Sequence, residues 1–243
     1  MKEYSTATYG ERIAEFYDDI YSDLDQSMIK TLVNLSQGGR TLELGIGTGR
    51  VALPLSQAGV EVHGIDASPA MLDKLTAKPG AEKIHTYTGN FADLAVEGQF
   101  DLIFVVFNTF FNLQNQAEQA RCFQNVAKRL TPDGVFVIEA FVPDMTRFID
   151  RQTVRAINID EYGVRLEVTQ LELVKQQIRS QHVFLTEDGV RLFPVKIRFA
   201  WPSELDLMAT LAGLELQHRW GSWDRDQLTD GSSRHISVYG RAK

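Results

Sequence analysis

Between residues 40 and 142 the chain alternates short β-rich apolar runs, at 41–44, 60–65, 83–87, 102–107 and 135–141, with segments of helical spacing. Strands alternating with helices predict a parallel sheet covered by helices on both faces. The clearest helix precedes the fifth run, where Phe123, Val126, Ala127 and Leu130 share one face and Thr131-Pro132-Asp133-Gly134 supplies turn chemistry behind it. From 154 to 199 the period changes to two, as in Val164-Arg165-Leu166-Glu167-Val168, with hairpin signals at Asp188-Gly189 and Asp160 to Gly163. This predicts an antiparallel meander inserted at about 153–199. Helical spacing returns at Leu205, Met208, Leu211 and Ala212, closed by Gly213, before two last runs at 214–220 and 235–239. Residues 1–36 read as one or two helices, carrying Ile13, Phe16, Tyr17 and Ile20, that cap the core. No repeat or linker divides 1–243, so a single domain is expected.

Composition narrows the class. With 243 residues, 44% of them hydrophobic, the chain can bury a full core without disulfides or a structural metal. Its 25 Lys+Arg against 32 Asp+Glu give a net charge of −7, which argues against partners bound through phosphate, whether nucleic acid or anionic membrane. The single cysteine, Cys122, excludes an internal disulfide and fits a reducing compartment, so a cytoplasmic location is expected. The opening residues are polar and the longest apolar run is 102–107, so no targeting or spanning segment is expected. His63, His85, His182, His218 and His235 show no ligand spacing, and no metal is predicted.

The chemistry concentrates after the first run, at Glu43-Leu44-Gly45-Ile46-Gly47-Thr48-Gly49-Arg50. Glycines there let backbone turn tightly and approach a ligand, and a following helix offers its free N–H groups. The dinucleotide fingerprint needs a glycine where Arg50 stands, which disfavours a nicotinamide cofactor. Asp66 ends the second run 21 residues after Gly45, the place from which a carboxylate takes both hydroxyls of a ribose; its alternative is a helix N-cap.

These motifs resemble the class I S-adenosylmethionine (SAM)-dependent methyltransferases, and the likeness covers most of the chain. His63-Gly64-Ile65-Asp66-Ala67-Ser68-Pro69-Ala70-Met71-Leu72 is similar to the family's second motif, and Gly89-Asn90-Phe91-Ala92-Asp93-Leu94 to its third, with Asn90 replacing the usual Asp. Phe100-Asp101-Leu102-Ile103 to Phe107-Asn108 resembles the fourth. Asn108-Thr109-Phe110-Phe111 is not the Asn-Pro-Pro-aromatic motif of amide or base methylation. The resemblance implies a Rossmann-like, seven-stranded, mostly parallel sheet in an α/β sandwich, with an antiparallel last strand. It implies SAM as cofactor and S-adenosylhomocysteine (SAH) as product. Tyr17, Glu43, Gly45, Gly47, Gly49, Asp66, Ala67, Met71, Asn90 and Phe91 are its cofactor residues. The meander and the Trp201-Pro202-Ser203-Glu204 helix start are most similar to enzymes that N-methylate amino sugars or peptide amino termini.

The reading is methyl transfer to a small molecule or peptide, at an amine nitrogen; the alternative is a non-catalytic SAM sensor or scaffold. The acceptor is expected beyond the carboxyl ends of the parallel strands, against Asn108, Phe110, Phe111, Phe141, Trp223 and Arg234, with Glu139 or His235 as base. The two phenylalanines and Trp223 could equally be core, and the meander either an active-site roof or a flap that forms a homodimer.

Overall fold

The computed structural model describes residues 4, 5 and 7–242. Residues 1–3 and 6 of the expected cap, and Lys243, lie outside the described residues. The cap comprises α1 (Thr8–Ile13), α2 (Tyr17–Ile20) and α3 (Gln26–Ser36). The core follows as β1 (Arg40–Leu44), α4 (Ala52–Gln57), β2 (Glu61–Asp66), α5 (Pro69–Thr76), β3 (His85–Thr88), β4 (Phe100–Val105), α6 (Gln116–Arg129) and β5 (Leu130–Phe141). Next come β6 (Gln152–Asp160), β7 (Gly163–Glu172), β8 (Gln177–Thr186) and β9 (Gly189–Arg198), then α7 (Pro202–Leu211), β10 (Leu214–Trp220) and β11 (Arg234–Arg241).

The main sheet has seven strands in the order β10-β11-β5-β4-β1-β2-β3. It is parallel from β3 to β5, while β11 runs antiparallel to both β5 and β10. Strand order reverses between β1 and β4, and a crevice opens at such a point beyond the strands' carboxyl ends. Central strands are apolar on both sides because helices cover both. Leu42, Ile103, Val105, Phe136 and Ile138 pack with Phe123 and Val126 of α6 and Leu205 and Met208 of α7. Their neighbours Leu102, Phe104, Val135 and Val137 pack on the other side with Met28 and Leu32 of α3, Leu55 of α4 and Leu75 of α5.

Local signals set the helix starts. Ser68 caps α5, accepting from Met71 N with Pro69 in the first turn, and Asn115 caps α6, accepting from Glu118 N. The expected turn at 131–134 is absorbed into β5, whose pairing with β4 slips between Phe100↔Leu130 and Leu102↔Val135. The meander forms a separate four-stranded antiparallel sheet in the order β6-β7-β8-β9. Its base is tied to the core by Arg198, which donates to Glu204 Oε1 at 2.6 Å and to Gln119 Oε1 at 2.5 Å.

Candidate active site

The crevice holds the glycine loop. Gly45 and Gly47 adopt left-handed φ of +75° and +56°. A Cβ on Gly45 would strike the Thr109 methyl at 2.4 Å, whereas one on Gly47 would project into open space above the loop. Gly45 N and Ile46 N both donate to Ile65 O, at 2.7 and 3.1 Å, which folds the loop back over β2. Asp66 then accepts from Gly47 N through Oδ2 and from Ser68 N through Oδ1, each at 2.9 Å. Burial pushes its pKa up, against the pull of the Ser68, Gly47 and Ala67 N–H groups. Those bonds leave carboxylate lone pairs free for a diol. Ser68, not Asp66, caps α5.

A cleft lies over this loop. Tyr17, Gly45, Gly47, Asp66, Ala67, Met71, Asn90 and Phe91 line it, eight of the ten positions named for the cofactor, together with Tyr9, Gly10, Ser68, Thr109, Asn112 and Leu113. Asn90 turns Oδ1 to Ala92 N at 2.9 Å, shaping the loop after β3. The cap closes the cleft from above: Glu11 Oε1 accepts from Ser68 Oγ at 2.8 Å, and Asp18 Oδ1 accepts from Thr48 Oγ1 at 2.6 Å. The remaining two positions lie elsewhere. Glu43 sits beneath the loop in a small adjoining pocket with Arg50 and Phe107. Its Oε2 is buried without a partner among the described residues, and burial raises its pKa far above the usual carboxylate range. Gly49, at φ +80°, faces Leu75, where a Cβ would clash at 2.2 Å; it serves the turn and not the cleft.

A second chamber adjoins the cleft and shares Tyr9, Tyr17, Thr109 and Asn112 with it. Asn108, Phe141, Tyr21, Phe107 and Arg147 form one side, and the meander supplies Arg155, Glu167, Ile178, Ser180, His182, Val195 and Ile197 as the other. Glu167 and His182 stand directly opposite on β7 and β8, and Arg155 Nη2 lies 3.4 Å from Glu167 Oε2. Burial lowers the His182 pKa, opposed by Glu167 and assisted by Arg165, so its imidazole is neutral at neutral pH. Tyr9 and Tyr21 join hydroxyls at 3.3 Å, and burial pushes the Tyr17 pKa up to about 12, so that hydroxyl stays protonated.

Several predicted acceptor residues fall outside this chamber. Phe110 and Phe111 are fully buried in the α6 side of the core, and Trp223 is 2% exposed among the α3-side residues. His235 is 0% exposed, with Nδ1 2.9 Å from Ser237 Oγ, and burial with Arg219 nearby lowers its pKa to about 4. It borders neither cavity. Glu139 is also committed elsewhere, accepting from Phe107 N at 3.0 Å and from Arg234 Nη1 at 3.1 Å. Arg234 is thereby turned to Glu139 rather than to the chamber. Sequence reasoning passed over Tyr9, Tyr21, Arg155 and Glu167; the alternation in β7 and β8 was the available signal for the last, once paired with His182.

Comparison with known proteins shows the family. The "Methyltransferase domain" family matches residues 41–134. The cypemycin N-terminal methyltransferase of Streptomyces sp is 31% identical over 208 residues, 84% of each chain. The CcbJ methyltransferase of Streptomyces caelestis superposes with a TM-score of 0.92 at 37% identity, covering 99% of this chain and all of that one. The sugar N-methyltransferase KedS8 of Streptoalloteichus sp shares the fold, with a TM-score of 0.70 at 20% identity. The chain belongs to the class I SAM-dependent methyltransferases, and it is an enzyme using SAM and releasing SAH. Among the described residues no helix is long and apolar enough to cross a membrane.

Proposed function

We propose that the enzyme transfers the methyl group of SAM to an amine nitrogen of a small molecule or peptide held in the chamber beneath the meander. The carrying observation is that the cleft and the chamber share Tyr9, Tyr17, Thr109 and Asn112, so a donor in one meets an acceptor in the other. The similarity to a peptide N-terminal methyltransferase supports the amine.

When bound, SAM supplies an electrophilic methyl on a sulfonium. Asp66 would hold the ribose hydroxyls with the lone pairs its backbone donors leave free, Ala67 and Met71 would flank the adenine, and the loop at Gly45 and Gly47 would let the methionine part approach the backbone. The buried Glu43 carboxyl, in the pocket that adjoins the cleft, would receive the methionine ammonium on its unpartnered Oε2. The protein's main contribution to the rate is positioning, because the leaving group is already good. An amine must shed its proton before attack, and neutral His182 can accept it while Glu167 attracts the ammonium form. The meander acts as the roof of the single domain. The free, buried Cys122 thiol suits a cytoplasmic enzyme.

The test is incubation with methyl-labelled SAM and panels of amines, hydroxy compounds and peptides. Label on nitrogen supports the reading. SAH binding with no transfer to any member of the panels, in a protein whose chamber already holds another ligand, supports the sensor instead.

A further inference from the structure

The four-stranded sheet is apolar on the side turned away from the molecule. Its register aligns three cross-strand rows on that outer face: Val154-Val168-Gln181-Pro194, Ala156-Leu166-Val183-Leu192 and Ile159-Val164-Leu185-Val190. Eleven of these twelve positions are apolar. Val154, Ile159, Val190 and Leu192 are 66%, 69%, 62% and 50% exposed. The inner face carries the row Arg155-Glu167-His182-Phe193 instead, whose three polar members line the acceptor chamber. An antiparallel sheet with one solvated face ordinarily places its polar residues outward, so the apolar rows on the outer face depart from that pattern. A continuous apolar surface of this size marks a docking face.

The ends of the face carry opposite charge. Its two hairpin tips hold Asp160, Glu161, Glu187 and Asp188 and no cation, while its base holds Arg151, Lys175, Arg179 and Lys196 against two carboxylates, Asp150 and Glu172. A two-fold axis in the plane between two such sheets and across their strands lays the tip of each over the base of the other. An axis along the strands would stack tip on tip and bring like charges together. Four strands of about ten residues span roughly 19 by 33 Å, or about 600 Å² in projection, close to the ~800 Å² per partner of a standard interface. The bulge between Ala156 and Asn158 twists the β6 edge, which disfavours pairing edge to edge.

We propose that this face binds a second copy of the same chain, sheet on sheet and tip over base, to form a homodimer. One surface supplies both halves of the charge complement, which a second copy satisfies twice. The net charge of −7 and the acidic tips oppose an anionic membrane as the occupant. The proposal is independent of the acceptor's identity. It gives the roof a structural role, since the strands pressed together outside are those that present Arg155, Glu167 and His182 inside.

Sedimentation equilibrium through the micromolar range tests it. The expected mass is twice the 27.4 kDa of the chain. Leu192→Glu, at an exposed position, should weaken the dimer roughly a hundredfold by burying an unpaired charge, with SAH binding retained as the check on folding. Val190→Lys serves the same purpose should Leu192→Glu not fold. Reversing the tip with Glu187→Lys and Asp188→Lys should weaken it about tenfold, and adding Arg179→Glu and Lys196→Glu should restore it. A monomeric wild type, or a dimer indifferent to both apolar-face variants, overturns the proposal; failure of the charge swap to restore overturns the tip-over-base arrangement.

Discussion

Glu139 on β5 accepts a hydrogen bond from Phe107 N at 3.0 Å, across the end of β4. Phe107 and Asn108 both have positive φ, +58° and +64°; asparagine adopts this region readily, but a bulky phenylalanine does so only when held. Asn108 completes the clamp, its Oδ1 accepting from Phe141 N at 2.7 Å. This turn brings Phe107 to the chamber wall, under Arg50 at 4.6 Å and edge-on to Tyr21 at 5.2 Å. Glu139 is therefore a positioning residue. Glu139→Ala should raise KM for the acceptor several-fold and leave the pH profile of kcat unmoved; a shifted profile would restore its role as base.

Asp66→Ala should weaken SAH binding by about ten- to a hundredfold, since hydrogen bonds to a charged acceptor contribute roughly 1.5 to 3 kcal/mol. Calorimetry measures it. Asp66→Asn should retain part of the affinity, because the amide oxygen still accepts from Gly47 N or a hydroxyl.

His235 predicts a pH dependence of stability. Its pKa falls from 6.5 unfolded to about 4 folded, so the unfolded chain binds the proton first. The stability it contributes is complete above pH 6.5 and is lost as pH falls toward 4, by about 3 kcal/mol. Urea unfolding at pH 7.5, 6 and 5 should show a shallower decline for His235→Phe than for the wild type.

Arg198→Met should cost about 3 kcal/mol, because it leaves the half-buried Glu204 carboxylate without its cation. Burial raises the Glu204 pKa, but donors from Gln176, Arg198 and Gln116 outweigh it and hold the group below its ordinary value. A drop in Tm of roughly 10 °C is expected. Replacing both partners with apolar residues should recover much of it.

The sequence made the architecture legible wherever periodicity decided. The βα alternation, the glycine loop, Asp66 and the period-two meander are local patterns, and each lies where the pattern placed it. What the sequence hid depends on register and depth. His235 and Glu139 lie on paired strands, yet His235 is opposite Ala140 and turns into the α7 side of the sheet toward Ser237, a distinction of one residue in parity. Phe110, Phe111 and Trp223 are aromatic whether they line a pocket or fill a core, so their type alone could not separate the two. Glu167 and His182 become neighbours only through the β7–β8 register, and Tyr9 and Tyr21 only through the folding of the cap over the cleft.

The central claim is that the acceptor occupies the chamber between the cap and the meander, beside the bound cofactor. Ser180 lines that chamber and has no part in the cleft, so Ser180→Phe fills one cavity and spares the other. For an amine that the wild type methylates from labelled SAM, the variant should bind SAH with unchanged affinity and lose transfer by at least tenfold. Undiminished transfer in a variant whose chamber is filled would contradict the account.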